Sequence, residues 1–547
     1  MPIVLLREGT SETKGNQAQR NNITAAKTIA EIVRTSLGPR GMDKMLVNNL
    51  GDVTITNDGA TILKEIDVQH PAAKIMVEIS KATDNEVGDG TTSTVVLAGS
   101  LLSKAEELIT KGVHPTVIVD GYSMASEKAL EILRNASTKV DPADRQILGK
   151  IARTSMASKL VSVNSEPLSK IVVDAVIAVA EKARDNNNLK VDVDSVKVEK
   201  KAGGSIEDTK LIQGIVLDKE VVHGAMPKRI EDAKIALLNA ALEIEKTEMS
   251  AEIRISDPQQ MHMFLEEENR MLRSMVDKIT ASGANVLLCQ KGIDDLAQHY
   301  LAKEGILAVR RVKESDMNNL AKATEGRVLS NIDELTASDL GYAKLVEERK
   351  VETDKWVFVE GCKNPKAVSI LVRGGSQRVV DEAERSVHDA IMAVKDVVEY
   401  PYVTVGAGAP EVYISQKIRE WSGSLSGRSQ LAVEKFADSV EEIAIALAEN
   451  AGMDPLDTQT QLRAKAALAK PKYGVDVING KVADMAAKDV YEPLKVKEQI
   501  INAATEASSM ILRIDDVIAA SKSRESGPPP GAGGGMGGMG GMGGMDM

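Results

Sequence analysis

Apolar residues recur every three or four positions over long stretches at both ends of the chain, and in a different rhythm in its middle. Residues 17–150 read as long helices broken by glycine turns. A periodic run over 25–37 stops at Gly38-Pro39, a second helix is predicted over 74–87 and a third over 91–111. Between the first two, Val53-Thr54-Ile55-Thr56 followed by Asn57-Asp58-Gly59 reads as a short strand and turn. Residues 428–472 and 493–520 return to the same Ala- and Leu-rich helical pattern. From about 211 to 375, short β-runs alternate with helices, with strands predicted at 286–289, 307–309 and 368–372. Helical ends around an α/β middle predict a discontinuous helical domain with the middle inserted into it.

One helix of the middle is unusual. Ser256-Asp257-Pro258 supplies a cap and a proline start, after which Met261, Leu265, Leu272, Met275 and Ile279 share one face. Glu266, Glu267, Asn269, Arg270 and Arg273 occupy the other. Such a stripe is ordinarily core. The charged segment 243–255 before it offers little to pack upon, so a projecting arm is the alternative.

Composition narrows the classes. At ~100–200 residues per domain, 547 residues suggest three to four domains. With only 2 Trp, 8 Tyr and 3 Phe, the cores must be packed by Ala, Val, Ile, Leu and Met, which favours close-packed helices. Lys and Arg number 68 against 80 Asp and Glu, a net charge of -12, so no cationic face is expected for nucleic acid. The two cysteines, Cys289 and Cys362, lie far apart without a CxxC, which argues against a disulfide framework or a zinc knuckle. No run approaches ~18 uninterrupted apolar residues and the start lacks a signal-peptide core, so a cytoplasmic protein without a membrane span is expected. The stretch 527–547, with its GGM repeat, cannot bury enough surface to offset its backbone entropy and is predicted to be disordered. It reads as a solvated tail or as a weakly sticky methionine brush.

The chemistry has few places to be. The G-x-x-x-x-G-K-[ST] pattern of a P-loop is absent, as is H-E-x-x-H, and Gly121-Tyr122-Ser123-Met124-Ala125 lies in helical periodicity rather than at a nucleophile elbow. What remains is Gly88-Asp89-Gly90-Thr91-Thr92-Ser93. Its glycines permit tight turns and the residues after them open a helix, whose free N–H groups suit phosphate. Thr91, Thr92 and Ser93 add hydroxyls, and Asp89 could hold Mg²⁺ against phosphate oxygens. A plain capped helix start would look the same. Leu37-Gly38-Pro39-Arg40-Gly41, Asn57-Asp58-Gly59-Ala60-Thr61 and Gly406-Ala407-Gly408-Ala409-Pro410-Glu411 are three further glycine turns of similar make-up. Phosphoryl transfer to water needs backbone donors, a carboxylate-held metal and a carboxylate that orients the water. Several loops converging on one nucleotide would supply all three.

At these residues the chain resembles the group II chaperonins of the archaeal thermosome type, relatives of the eukaryotic cytosolic chaperonin. The similarity runs through SLGPRGMDKMLV (36–47), TNDGATIL (56–63), VGDGTTST (87–94), GVHPTVIVDGY (112–122), MPKRIEDAKIALLN (226–239), LVRGGS (371–376), DEAERSVHDA (381–390), FADSVEEI (436–443), LAENAGMDP (447–455) and MILRIDDVI (510–518). The resemblance implies a multidomain α and α/β chain. Its parts would be an equatorial ATPase domain from 1–145 and 403–526, an intermediate domain from 146–215 and 368–402, and an α/β apical domain over 216–367. A helical lid protrusion would occupy about 243–275. It implies ATP as substrate with Mg²⁺, and K⁺ as a further candidate ion. The implied partners are unfolded or partly folded proteins and other subunits in two stacked rings, without nucleic acid or membrane.

Carried over by position, the resemblance assigns Leu37, Gly38 and Pro39 to the phosphate and base side. Asp89 would ligate Mg²⁺, with Gly59, Gly90, Thr91, Thr92 and Ser93 around the phosphates. Asp58 and Asp389 would orient the attacking water, Gly408 and Glu492 would contact the ribose, and Lys159 would sense the γ-phosphate. Read from its surroundings alone, Asp389 beside His388 in a charged helix is a solvated-face residue. One departure stands out: the family usually has three glycines where this chain has Gly406-Ala407-Gly408. If Ala407 takes a positive φ, its Cβ costs on the order of 1 kcal/mol. The alternatives to a folding machine are a ring-shaped holdase with vestigial turnover and a monomeric phosphotransferase.

Overall fold

The computed structural model describes residues 11–48, 51–182, 189–244, 258–362, 366–467 and 471–519. The tail at 527–547 and the Ser256-Asp257 cap lie outside them. Three large apolar cores organise the chain.

The first is helical and draws on both ends of the sequence. Helices Gly15–Arg34, Pro71–Val87, Thr91–Thr110 and Pro115–Ala136 pack with Ala409–Ser422, Arg428–Val440, Glu442–Asn450 and Leu494–Leu512. Thr91–Thr110 has no exposed residue before its last, as befits a helix inside such a bundle. Small residues let its neighbours close in: a Cβ on Gly99 would overlap Ala30. The few aromatics are used centrally, with Tyr122 and Phe436 rings 5.9 Å apart and the Tyr122 hydroxyl donating to the Leu101 carbonyl at 2.8 Å. Ser11–Lys14 pairs antiparallel with Asp516–Ala519, which joins the two ends of the described chain.

The second core lies between helices Arg145–Met156, Ser165–Val179 and Gln377–Glu399 and a three-stranded sheet. In that sheet Val368–Gly374 is central, parallel to Val196–Ala202 and antiparallel to Lys210–Ile212. A small sheet of Thr138–Lys139, Tyr402–Val405 and Tyr491–Pro493 stitches this region to the helical one.

The third core is α/β. Its sheet runs Leu307–Val309, Val286–Cys289, Arg229–Leu238, Gly341–Val351, Asp354–Cys362, Gly214–Leu217, with Val328–Leu329 also on Arg229–Leu238. The three strands at the Leu307–Val309 end are parallel, and two of them, Val286–Cys289 and Leu307–Val309, are buried at every residue, as strands covered on both faces are. The helix Pro258–Ala281 divides its apolar stripe. Leu272, Val276 and Ile279 are at most 1% exposed, whereas Met261, Met263, Phe264, Leu265 and Met271 are 44–69% exposed. The core and the projecting-arm readings each describe one half of this helix.

Candidate functional site

Two of the four glycine turns meet, and the other two pack against one helix, all within the helical body. Asp58 caps helix Gly59–Glu65, accepting from the Thr61 amide at 2.8 Å, and the Thr91 hydroxyl donates to its other oxygen at 3.2 Å. Gly59 lies so close to the next turn that a Cβ there would stand 2.6 Å from Thr92 Oγ1. The Gly88–Gly90 turn changes direction through two left-handed glycines, φ 65° and 76°, before helix Thr91–Thr110 begins. A Cβ on Gly90 would press on Ile500 and Val496, in the helix that follows Glu492. The remaining two turns share helix Glu442–Asn450: Gly38 abuts Leu447 and Gly408 abuts Ala444, one turn apart. Asn450 fixes the first of these by donating to the Leu37 carbonyl at 2.9 Å.

The second body contributes two charges. Lys159 and Asp389, distant in sequence and each 8% exposed, form an ion pair. Asn57, next to Asp58, donates to the Ser158 carbonyl and ties this loop to the first body. Burial favours the neutral form of Asp58, but the Lys159 ammonium and hydrogen bonds from Thr61 and Thr91 outweigh it and hold the carboxyl below the usual range. At Asp89 burial prevails over Lys159 and the Gly90 amide, and the carboxyl is pushed up. Asp58, Asp89 and Asp389 thus all lie within the field of one ammonium group.

A cavity of about 850 Å³ opens at this cluster. Asp58, Thr61, Asp84, His388 and Asp389 line it, together with residues of Val196–Ala202 and of helix Glu314–Thr324. Of the expected site residues only Asp58 and Asp389 line it; Leu37, Gly38, Pro39, Gly59, Asp89, Gly90, Thr91, Thr92, Ser93, Lys159, Gly408 and Glu492 do not. Glu492 instead faces the third glycine turn, accepting from the Ala407 amide at 3.3 Å, and Ala407 has φ 59°.

The pattern of the TCP-1/cpn60 chaperonin family matches residues 29–522. The chain belongs to that family. It is 57% identical to a thermosome subunit alpha of Archaeoglobus fulgidus over 98% of each chain. It is 56% identical to a thermosome subunit of Pyrococcus horikoshii over 95% of this chain and 94% of the relative. With thermosome subunit alpha of Sulfolobus acidocaldarius the identity is 54% over 95% of each chain. Protein folding is therefore the work of this chaperonin.

Among the described residues of the chaperonin chain, no three His, Cys, Asp or Glu side chains gather into a ready metal cage. That does not argue against Mg²⁺, which commonly takes one or two carboxylates and completes its shell with water and phosphate oxygens. Among the described residues no helix is long and apolar enough to cross a membrane. Sequence reasoning passed over Asp84, His388 and Asn57. Asp84 carried a signal: an aspartate in the last turn of helix Pro71–Val87 opposes the helix dipole, and its pKa is raised by burial and by the Asp58 charge.

Proposed function

We propose that this chaperonin hydrolyses ATP where the glycine turns meet and couples that step to closure of a folding chamber. In this reading the first core is the equatorial domain (1–145 and 403–526), the second the intermediate (146–215 and 368–402), and the third the apical domain (216–367). Asp58 and Asp389 orient the attacking water, and Lys159, paired with Asp389, senses the γ-phosphate. Gly59, Gly90, Thr91, Thr92 and Ser93 offer amides and hydroxyls to the phosphates, Leu37, Gly38 and Pro39 flank them, and Gly408 and Glu492 hold the ribose. Asp89 holds Mg²⁺, which when bound neutralises phosphate charge; K⁺ is a further candidate ion. The subunits assemble as two stacked rings in the cytoplasm. The exposed half of helix Pro258–Ala281 forms part of a lid, and unfolded or partly folded proteins are the clients, recognised by exposed apolar surface.

The observation that carries this reading is the seam. Lys159 follows helix Arg145–Met156 and Asp389 lies on helix Gln377–Glu399, both of the second core, whereas Asp58 caps helix Gly59–Glu65 and Asp89 precedes helix Thr91–Thr110 of the first, so completing the site requires the two bodies to come together. Asp389→Ala should still bind Mg-ATP and hydrolyse it at least ~10²-fold more slowly, the loss expected for a water-orienting base. Unchanged steady-state phosphate release would refute the assignment.

A further inference from the structure

Next to Glu492 stands a buried charge group that no step of the reaction so far uses. Lys497 is 6% exposed and pairs with two carboxylates at once, Glu411 Oε1 at 2.7 Å and Glu492 Oε2 at 2.6 Å. Glu411 is 4% exposed, and its second oxygen has no partner. Two carboxylates therefore share one buried ammonium, Glu411 itself buried and Glu492 partly exposed. Such a group is strongly directional, because a charge that leaves its partner there remains uncompensated.

The other end of the group reaches the glycine turn. Glu492 Oε1 accepts from the Ala407 amide at 3.3 Å, and Gly406 passes so close that any Cβ there would overlap this oxygen. The Ala407 carbonyl accepts from the Val475 amide at 2.9 Å. Ala407 is thus gripped on both polar atoms while it holds φ 59°, a conformation that an alanine adopts less readily than a glycine. Something must hold the residue there, and Glu492 can do so only if its carboxylate is fixed.

We infer that Glu411 is a positioning residue: through Lys497 it fixes the Glu492 carboxylate, which clamps the strained Ala407 turn in the shape that receives nucleotide. This rests on the ATP reading above. Glu411 lies in the first turn of the helix that leaves Gly408, and its carboxylate meets that of Glu492 through Lys497.

The test is a double-mutant cycle on the full chain. Glu411→Gln should leave Lys497 with Glu492 as its one carboxylate partner, draw that carboxylate from the Ala407 amide, and raise the KM for ATP about tenfold, with kcat within about twofold. Ala407→Gly removes the strain that needs clamping, so adding Glu411→Gln to it should raise KM less than about threefold. An equal KM rise in both backgrounds, or no rise in either, would overturn the inference. A helix-packing role alone would give equal rises. Ring assembly is checked by size-exclusion chromatography. If the Gln variant does not assemble, Glu411→Asp, which keeps the charge but shortens its reach, carries the same cycle. Absence of ATP turnover in the unmodified chain would instead count against the function proposed above.

Discussion

Asp396 illustrates how much one residue's environment decides. It lies on the same helix as Asp389, two turns on, and is fully buried. Lys495 donates to one of its oxygens at 3.2 Å while also pairing with Glu86 at 3.2 Å, and the second Asp396 oxygen has no partner. Burial pushes its pKa up to about 7, against the pull of Lys495 and Lys395 and with help from Glu399. An unfolded aspartate releases its proton near ~3.9. Between these values the native state holds a proton that the unfolded state has lost, so stability falls as pH rises through the window. Asp396→Asn is uncharged at every pH. Its stability relative to the unmodified chain should improve by about 3 kcal/mol between pH 5 and pH 8, read from urea unfolding. A difference that does not change with pH would contradict the shift. The same scale shows what sequence could reveal. Gly88, Gly90 and Gly38 announce left-handed turns by type alone, and the structure places them at φ 65°, 76° and 81°. Asp389 and Lys159 announce nothing, because an ion pair across 230 positions leaves no local pattern.

Elements were legible where local periodicity was strong. The helix expected over 91–111 is Thr91–Thr110, and that expected over 74–87 begins slightly earlier, at Pro71, where His70 caps it and proline takes the first turn. The expected helix over 25–37 is Gly15–Arg34; its first turns read as polar because their inward positions include Ala18 and Asn22. The long helical stretch 428–472 contains three helices, Arg428–Val440, Glu442–Asn450 and Pro455–Ala466, broken near Glu441 and at Gly452. Strand Asp516–Ala519 was hidden in a predicted helix because its partner is Ser11–Lys14, at the far end of the chain. Helix Pro258–Ala281 yields the element-scale test. Leu272→Ala should cost about 2–5 kcal/mol, the penalty for emptying a core site. Met263→Ala, at a residue 69% exposed on the outer half, should change stability by less than about 0.5 kcal/mol. Equal losses in chemical unfolding would mean that the outer half is packed as well.

At the scale of the whole molecule, the helical-ends and α/β-middle pattern was readable from period alone. The second body was not, because its pieces come from 148–196 and 368–403 and are too short to stand apart in sequence. That body matters most for coupling. Helix Gln377–Glu399 carries Asp389 into the acidic cluster, sets Met392 against Gly88, and meets Lys495 through Asp396. Any ligand that binds more tightly when these contacts are made draws the two bodies together by that difference in affinity, and by no more. The third body adjoins the second through Ile212 and Leu371, which share a small apolar cluster with Val216, Val351, Trp356 and Phe358. Electron microscopy of the assembled chain, with and without Mg-ATP and beside Asp389→Ala, tests the coupling most directly. The account predicts double rings that are open without nucleotide, and rings of the unmodified chain that close at both ends during turnover. A chain that forms no rings, or rings whose ends look the same in every condition, would contradict it.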